Sequence, residues 1–169
     1  SISASLGIHG CGWGSGFVLD YNKENDSAYI LIINTQYSYI VKMENLKSIV
    51  NKSEGAGNVE QKGIILASGV GHGGSGSSYF LRWKFEKEGN VLKAYKDGAL
   101  AITYTDANPL PSGEIGLWAG CDAAFKEIQT EYQVTKIKTL DEILKEPTWR
   151  EDATKLVINI YDVELSELN

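Results

Sequence analysis

Few side chains in this 169-residue chain have the chemistry of a catalytic group. Its two histidines, His9 and His72, both sit in Gly-rich segments and read as exposed loop residues rather than as bases or ligands. A zinc site needs three or four ligands, and two histidines with two distant cysteines cannot supply it. Those cysteines, Cys11 and Cys121, could close most of the domain as a disulfide or stay as two small thiols; spacing does not choose. Hydrolysis of a glycosidic bond needs two carboxylates, about 5–5.5 Å or about 6.5–9.5 Å apart. Glu86 and Glu88 have the spacing to share one face of a strand, but they border the Gly89-Asn90 turn, where solvated carboxylates are expected. Gly69-Val70-Gly71-His72-Gly73-Gly74 satisfies the dinucleotide pattern G-x-G-x-x-G. That site requires a helix to follow, whereas the next residues, SGSSYFLRWKF, alternate as a strand. The expectation is a loop, and no enzyme.

Binding chemistry is better represented. Oxygen-rich groups, Asp106, Asn108 and Asp122 or Asp20, Asn22, Asn25 and Asp26, could hold a structural calcium ion or simply make turns. In GEIGLWA, alternation puts Ile115 and Leu117 towards a core and Trp118 outward. Trp13 lies in the Gly-rich GCGWGSG, and Arg82 and Lys84 point away from the core if Leu81, Trp83 and Phe85 point into it. Trp118 and Trp13, with Arg82, Lys84 and Asp20, would make a platform for the C–H face of a sugar. The alternative is an outward Trp118 covered by the segment around Trp149.

The elements that must position these groups are short strands. Ile2 to Ile8, GFVLDY, SAYILII, QYSYIVKM and KGIILAS are β-rich runs separated by polar turns, with a long polar loop over 45–58. From Ser78 the alternation is clear. Tyr79, Leu81, Trp83 and Phe85 share a face, Gly89-Asn90 turns the chain into VLKAY, and Asp97-Gly98 turns it into ALAITYT. EIGLWA and AAFKEIQTEYQV follow. Trp83, Phe85, Tyr104 and Phe125 are assigned to the core. Many short strands with almost no helical period make an all-β sandwich or barrel. Near 138 the pattern changes: Thr139 caps a short helix ended by Pro147, and KLVINIY is a further strand. The organisation is therefore a β domain over 1–137 and a helix–strand extension over 138–169, either a closing strand or the start of a following α/β domain.

Composition agrees. Eighteen Gly and nine Tyr suit turns and pleated surfaces. A net charge of −6 without a basic run excludes a phosphate-tracking surface, so nucleic acid is not an expected partner. No apolar stretch approaches the roughly 20 residues that span a bilayer, so membrane insertion is not expected. Ser1 begins directly in strand-like sequence, which reads as a piece of a longer chain.

The segments WKFEKEGNVLKAYKDG, ITYTDANPLPSGEIGLWA and DAAFKEI, with GWGSGFVLDYNKENDSAYILI upstream, resemble the concanavalin A-like lectin/glucanase superfamily in its laminin-G-like and glycan-processing branches. The resemblance covers 12–135 and rests on turn signals, not catalytic signatures. It implies a jelly-roll β-sandwich of two antiparallel sheets. The Glu-x-Asp-x-Glu strand of that superfamily's hydrolases is absent. The expectation is a non-catalytic carbohydrate-binding or adhesion module of a larger secreted or cell-surface, bacterial protein. Its partner is a glycan or polysaccharide. The alternative is a structural module packing against neighbouring domains, with a glycan-processing enzyme third.

Overall fold

The structure, a computed structural model, describes residues 1–9, 14–44, 63–76, 78–120 and 122–131. Cys11, Trp13, Cys121 and the expected helix and strand beyond 138 lie outside these residues. A boundary after Tyr132 separates the first unit, Ser1–Tyr132, from the rest. Among the described residues no helix is long and apolar enough to cross a membrane.

Among the described residues ten strands form: β1 (Ile2–Ile8), β2 (Ser15–Asn22), β3 (Ser27–Ile33), β4 (Tyr37–Met43), β5 (Ile64–Val70), β6 (Phe80–Glu88), β7 (Val91–Lys96), β8 (Ala99–Thr105), β9 (Glu114–Ala119) and β10 (Ala123–Thr130). They build two antiparallel five-stranded sheets, β10-β1-β6-β7-β8 and β5-β4-β3-β2-β9. The chain starts in the first sheet, lays down β2–β5 in the second, returns for β6–β8, and then crosses twice more for β9 and β10. This is the expected jelly-roll sandwich.

Period-two alternation builds the core between the sheets. Ile2, Ala4, Leu6 and Ile8 of β1 meet Trp83 and Phe85 of β6, Leu92 and Ala94 of β7, and Phe17, Tyr29, Leu31 and Ile33 from the facing sheet. Trp83 is fully buried, as expected, while Tyr104 and Phe125 pack at the margin. Phe125 meets Phe17 edge-on at 6.1 Å. Leu117 departs from expectation: although paired with Phe17, it is 40% exposed, because β9 is an edge strand.

Turn chemistry sets the hairpins. Asp97 and Gly98, at φ 48° and 81°, reverse the chain between β7 and β8. Both residues take the left-handed backbone that a two-residue hairpin demands. Asp97 also accepts a hydrogen bond from the Arg82 amide at 2.9 Å, tying the turn to β6.

Candidate functional site

The solvent side of the first sheet is built from the other half of the same alternation. On β1 the outward residues are Ser3 and Ser5; on β6 they are Arg82, Lys84 and Glu86; on β7, Lys93 and Tyr95. Strand register fixes their order. Gln129, Ser3, Lys84 and Tyr95 fall in one row across β10, β1, β6 and β7, and Ser5 with Arg82 begins the next. Small serines on β1 lie between long side chains on β6 and β10, so the sheet is hollowed there. The result is an open depression of about 480 Å³, lined by Ser1, Ser3, Arg82, Lys84, Glu86, Tyr95, Gly98, Gln129 and Glu131.

Its polar groups are held in place. The Arg82 guanidinium donates to the Glu127 carbonyl at 2.8 Å, the Ser3 hydroxyl at 2.9 Å and Gln129 Oε1 at 2.7 Å. That carbonyl is aimed by a β-bulge in β10 where Glu127 takes φ 53°, a conformation an ordinary L-residue adopts only at a cost. Lys84 Nζ donates to Glu86 Oε2 at 2.7 Å, and the Tyr95 hydroxyl donates to Glu86 Oε1 at 2.8 Å. Burial works against charge on Glu86, but these two hydrogen bonds outweigh it and hold the carboxyl below its ordinary range. The same hydrogen bond lifts the Lys84 ammonium above its usual value. Glu86 is therefore a fixed anionic acceptor, not the proton donor a glycosidase acid would have to be. The Tyr95 ring stands beside it, half-buried, with Lys84 Nζ 6.0 Å from its centroid.

Sequence reasoning set Glu86 aside as a solvated turn residue. It instead lies inside β6, with its side chain only 12% exposed. Tyr95, Ser3, Gln129 and Glu131 were not singled out. The signal available for Tyr95 and Glu86 was the strand alternation already used for Arg82 and Lys84. Ser3, Gln129 and Glu131 join only through pairing of the first and last strands, which no local pattern announces.

The remaining predicted residues are elsewhere. Arg82 and Lys84 sit together in the depression, but Trp118 is on the outer face of the other sheet. There it packs against a cluster containing Val18, Ile30, Ile32, Val41 and Met43, half-buried, with its indole Nε1 enclosed and without a hydrogen-bond partner among the described residues. The expected platform of Trp118 with Arg82 and Lys84 is thus not assembled, because the sandwich lies between them. Asp20, at φ 55° in a bulge of β2, accepts from Lys87 Nζ at 2.5 Å and from the Gly113 amide at 3.2 Å. It fastens the β8–β9 connection rather than lining the depression.

Asp106, Asn108 and Asp122, grouped as calcium ligands, do not converge. Asp106 follows β8 beside the β6–β7 turn, where its amide bonds the Asn90 carbonyl. Asp122 precedes β10 at the far end of β1, its carbonyl accepting from the His9 amide. The Asp106 carboxylate is already engaged by Lys42 Nζ at 2.7 Å and by the Tyr29 hydroxyl at 2.6 Å. Burial opposes its ionisation, yet these bonds and the Asn108 amide bring its pKa down to about 2. Burial, then the bond to Asp106, raises the Tyr29 phenol well above its normal range. Asn22 and Asn25 cap the amides of Glu24 and Ser27, and Asp26 accepts from the Tyr21 hydroxyl, so those side chains serve the β2–β3 hairpin. Among the described residues no group of three or more His, Cys, Asp or Glu side chains is placed to hold a metal ion.

His72 is a clear correction. Expected in an exposed loop, it is fully buried, accepting the Trp83 indole N–H on Nδ1 at 3.1 Å. Its ring meets Tyr79 edge-on at 5.4 Å. The Gly-rich loop bends tightly enough to push the ring inward: the amides of Gly71, His72 and Gly73 bond the carbonyls of Gln36, Asn34 and Thr35. Burial lowers the imidazole pKa. The next element after the loop is strand β6, not a helix, so the dinucleotide pattern is a coincidence of glycines.

No family model matches the chain, and no curated protein matches its sequence. Among solved structures, a carbohydrate binding module, CBM66 from Bacillus subtilis, superposes with a TM-score of 0.55. The identity is 19%, covering 75% of this chain and 71% of that one. At that identity the likeness establishes a shared β-sandwich fold and leaves the ligand to the side chains.

Proposed function

We propose that this domain is a non-catalytic carbohydrate-binding module of a larger secreted or cell-surface protein, and that the depression on the first sheet receives the sugar. The observation that carries this reading is the combination found there: an ordered acceptor, Glu86, an ordered donor, Lys84, and the half-buried ring of Tyr95 beside both. Sugars are recognised by paired donors and acceptors fixed in advance, together with an aromatic face for their C–H groups. The solved module of the same fold is described as carbohydrate-binding, which agrees with this reading. The hairpin motifs between Trp83 and Ile128 support the narrower concanavalin A-like, laminin-G-like grouping as part of it.

Affinity electrophoresis through gels containing a panel of polysaccharides tests the proposal. At least one should retard the domain, and Tyr95→Ala should release it. Unretarded migration in every gel rejects the reading. A second reading, a protein-interaction module, draws on the exposed apolar residues of edge strand β5, where Ile64 is 67% and Val70 61% exposed. Substituting these with lysine would disrupt association in that case and leave polysaccharide retention unchanged in the first.

A further inference from the structure

We infer that the depression selects neutral glycans, gripping a pair of adjacent hydroxyls between Lys84 and Glu86, and rejects uronate and sulfated chains. The inference rests on the carbohydrate reading above. Lys84 Nζ and a Glu86 carboxylate oxygen are 2.7 Å apart, which places a donor and an acceptor one hydrogen-bond length from each other. Adjacent hydroxyls on a sugar ring present an oxygen lone pair and an O–H at a comparable separation. One hydroxyl can accept from Lys84 while its neighbour donates to Glu86.

Both partners keep capacity for this. An ammonium has three N–H donors and a carboxylate about four lone-pair positions. Lys84 commits one donor to Glu86, with Glu131 a further 3.9 Å away, and Glu86 accepts from Lys84 and Tyr95. The ring of Tyr95 is held at the edge of this pair by its own hydroxyl, giving the sugar a face to lie against.

Charge argues for the neutral class. Among the lining side chains two cations, Arg82 and Lys84, stand against two carboxylates, Glu86 and Glu131. Arg82 already spends three of its five N–H donors on Ser3, Gln129 and the Glu127 carbonyl, and its Nη1 lies 3.7 Å from the Glu127 carboxylate, so its charge is met within the protein. An anionic sugar drawn to the remaining Lys84 donors would stand beside the Glu86 and Glu131 carboxylates, on a chain whose net charge is −6.

The test is isothermal titration of the intact chain with neutral oligosaccharides of glucan, mannan, galactan and fructan, and with oligogalacturonate and chondroitin sulfate oligosaccharides. A neutral member should bind, with affinity nearly constant between about 50 mM and about 500 mM salt, because no net charge is being paired. Lys84→Met and Glu86→Gln should each weaken it by roughly tenfold or more, the loss of one hydrogen bond to a charged group. Unchanged circular dichroism and melting temperature would show that both variants are folded, and Ser5→Ala serves as a neighbouring control. Binding of the acidic oligosaccharides with steep salt dependence, abolished by Lys84→Met, would overturn the neutral selectivity while leaving the depression as a sugar site. Neutral binding that survives both variants would overturn the Lys84–Glu86 grip. No binding of either class would remove the carbohydrate reading and this inference together.

Discussion

On the first sheet the outward positions of β1 and β6 are Ser3, Ser5, Arg82, Lys84 and Glu86, whereas β3 and β4 of the second sheet offer Ala28, Ile30, Ile32, Val41 and Met43. Strands of the first sheet alternate apolar and polar, as half-solvated antiparallel strands do, while SAYILII of β3 is buried along its whole length. The difference teaches where a ligand can be met. A polar face can hold donors and acceptors at fixed positions in water, and an apolar buried face can only pack. Trp118 belongs to the second kind, and its aromatic character alone was a poor guide to a binding surface.

Placing a charge on each face is the strongest way to break the comparison. Ile32→Lys should destabilise the domain by more than about 4 kcal/mol or prevent folding, since it buries an ammonium in a cluster whose described members, Val18, Ala28, Ile30, Val41 and Met43, are apolar. Ser3→Lys, on the polar face, should leave the unfolding midpoint in urea nearly unchanged while closing the depression to ligand. Equal losses from the two substitutions would contradict the contrast.

A smaller effect is expected at the buried end cluster. Asp106→Asn leaves Lys42 without its carboxylate and should cost about 3 kcal/mol in denaturant unfolding. The wild-type domain should also show the linkage. Asp106 has its pKa lowered from 3.8 to about 2, so the stability it contributes is complete above pH 3.8 and is lost as pH falls towards 2. In Asp106→Asn that component of the acid transition should vanish.

His72 gives a milder pH dependence at higher pH. Its folded-state pKa is below the ordinary 6.5, so the unfolded chain binds the proton more readily, and stability declines as pH drops below 6.5. Protonation would remove the acceptor used by the Trp83 indole, so a fluorescence shift should accompany the decline and be absent in His72→Gln. A flat stability between pH 7 and pH 5 would contradict this assignment.

The smallest expected change is at the bulge. Glu127→Asn places a residue tolerant of positive φ where Glu127 is held at 53°, and should gain a few tenths of a kcal/mol while Arg82 keeps its carbonyl partner. A loss of stability would mean that the Ser5 hydroxyl bond to the Glu127 carboxylate matters more than the backbone strain.

Much of the strand pattern could be read directly. The alternation through Trp83 and Phe85, the Asp97-Gly98 turn and the unbroken apolar run of β3 are local signals, because side-chain period and turn geometry depend on neighbours in the chain. The outward placement of Arg82 and Lys84 followed from the same period. Three things did not. The inward turn of His72 depends on hydrogen bonds between the Gly-rich loop and residues 34–36, across β4 and β5. The engagement of Asp106 by Lys42 and Tyr29 joins residues at least 64 positions apart. The separation of Trp118 from Arg82 depends on which sheet receives β9.

The sequence by itself therefore determined the strands, their turns and which half of each strand avoids water, since these follow from covalent geometry and solvation within a few residues. Tertiary structure alone decided which outward halves would share a face. Pairing β1 with both β6 and β10 brought Ser3, Lys84, Glu86, Tyr95 and Gln129 to one hollow, and sheet assignment sent Trp118 to the opposite side. Such choices are made by long-range strand pairing, whose energy comes from contacts between segments that carry no local mark of each other.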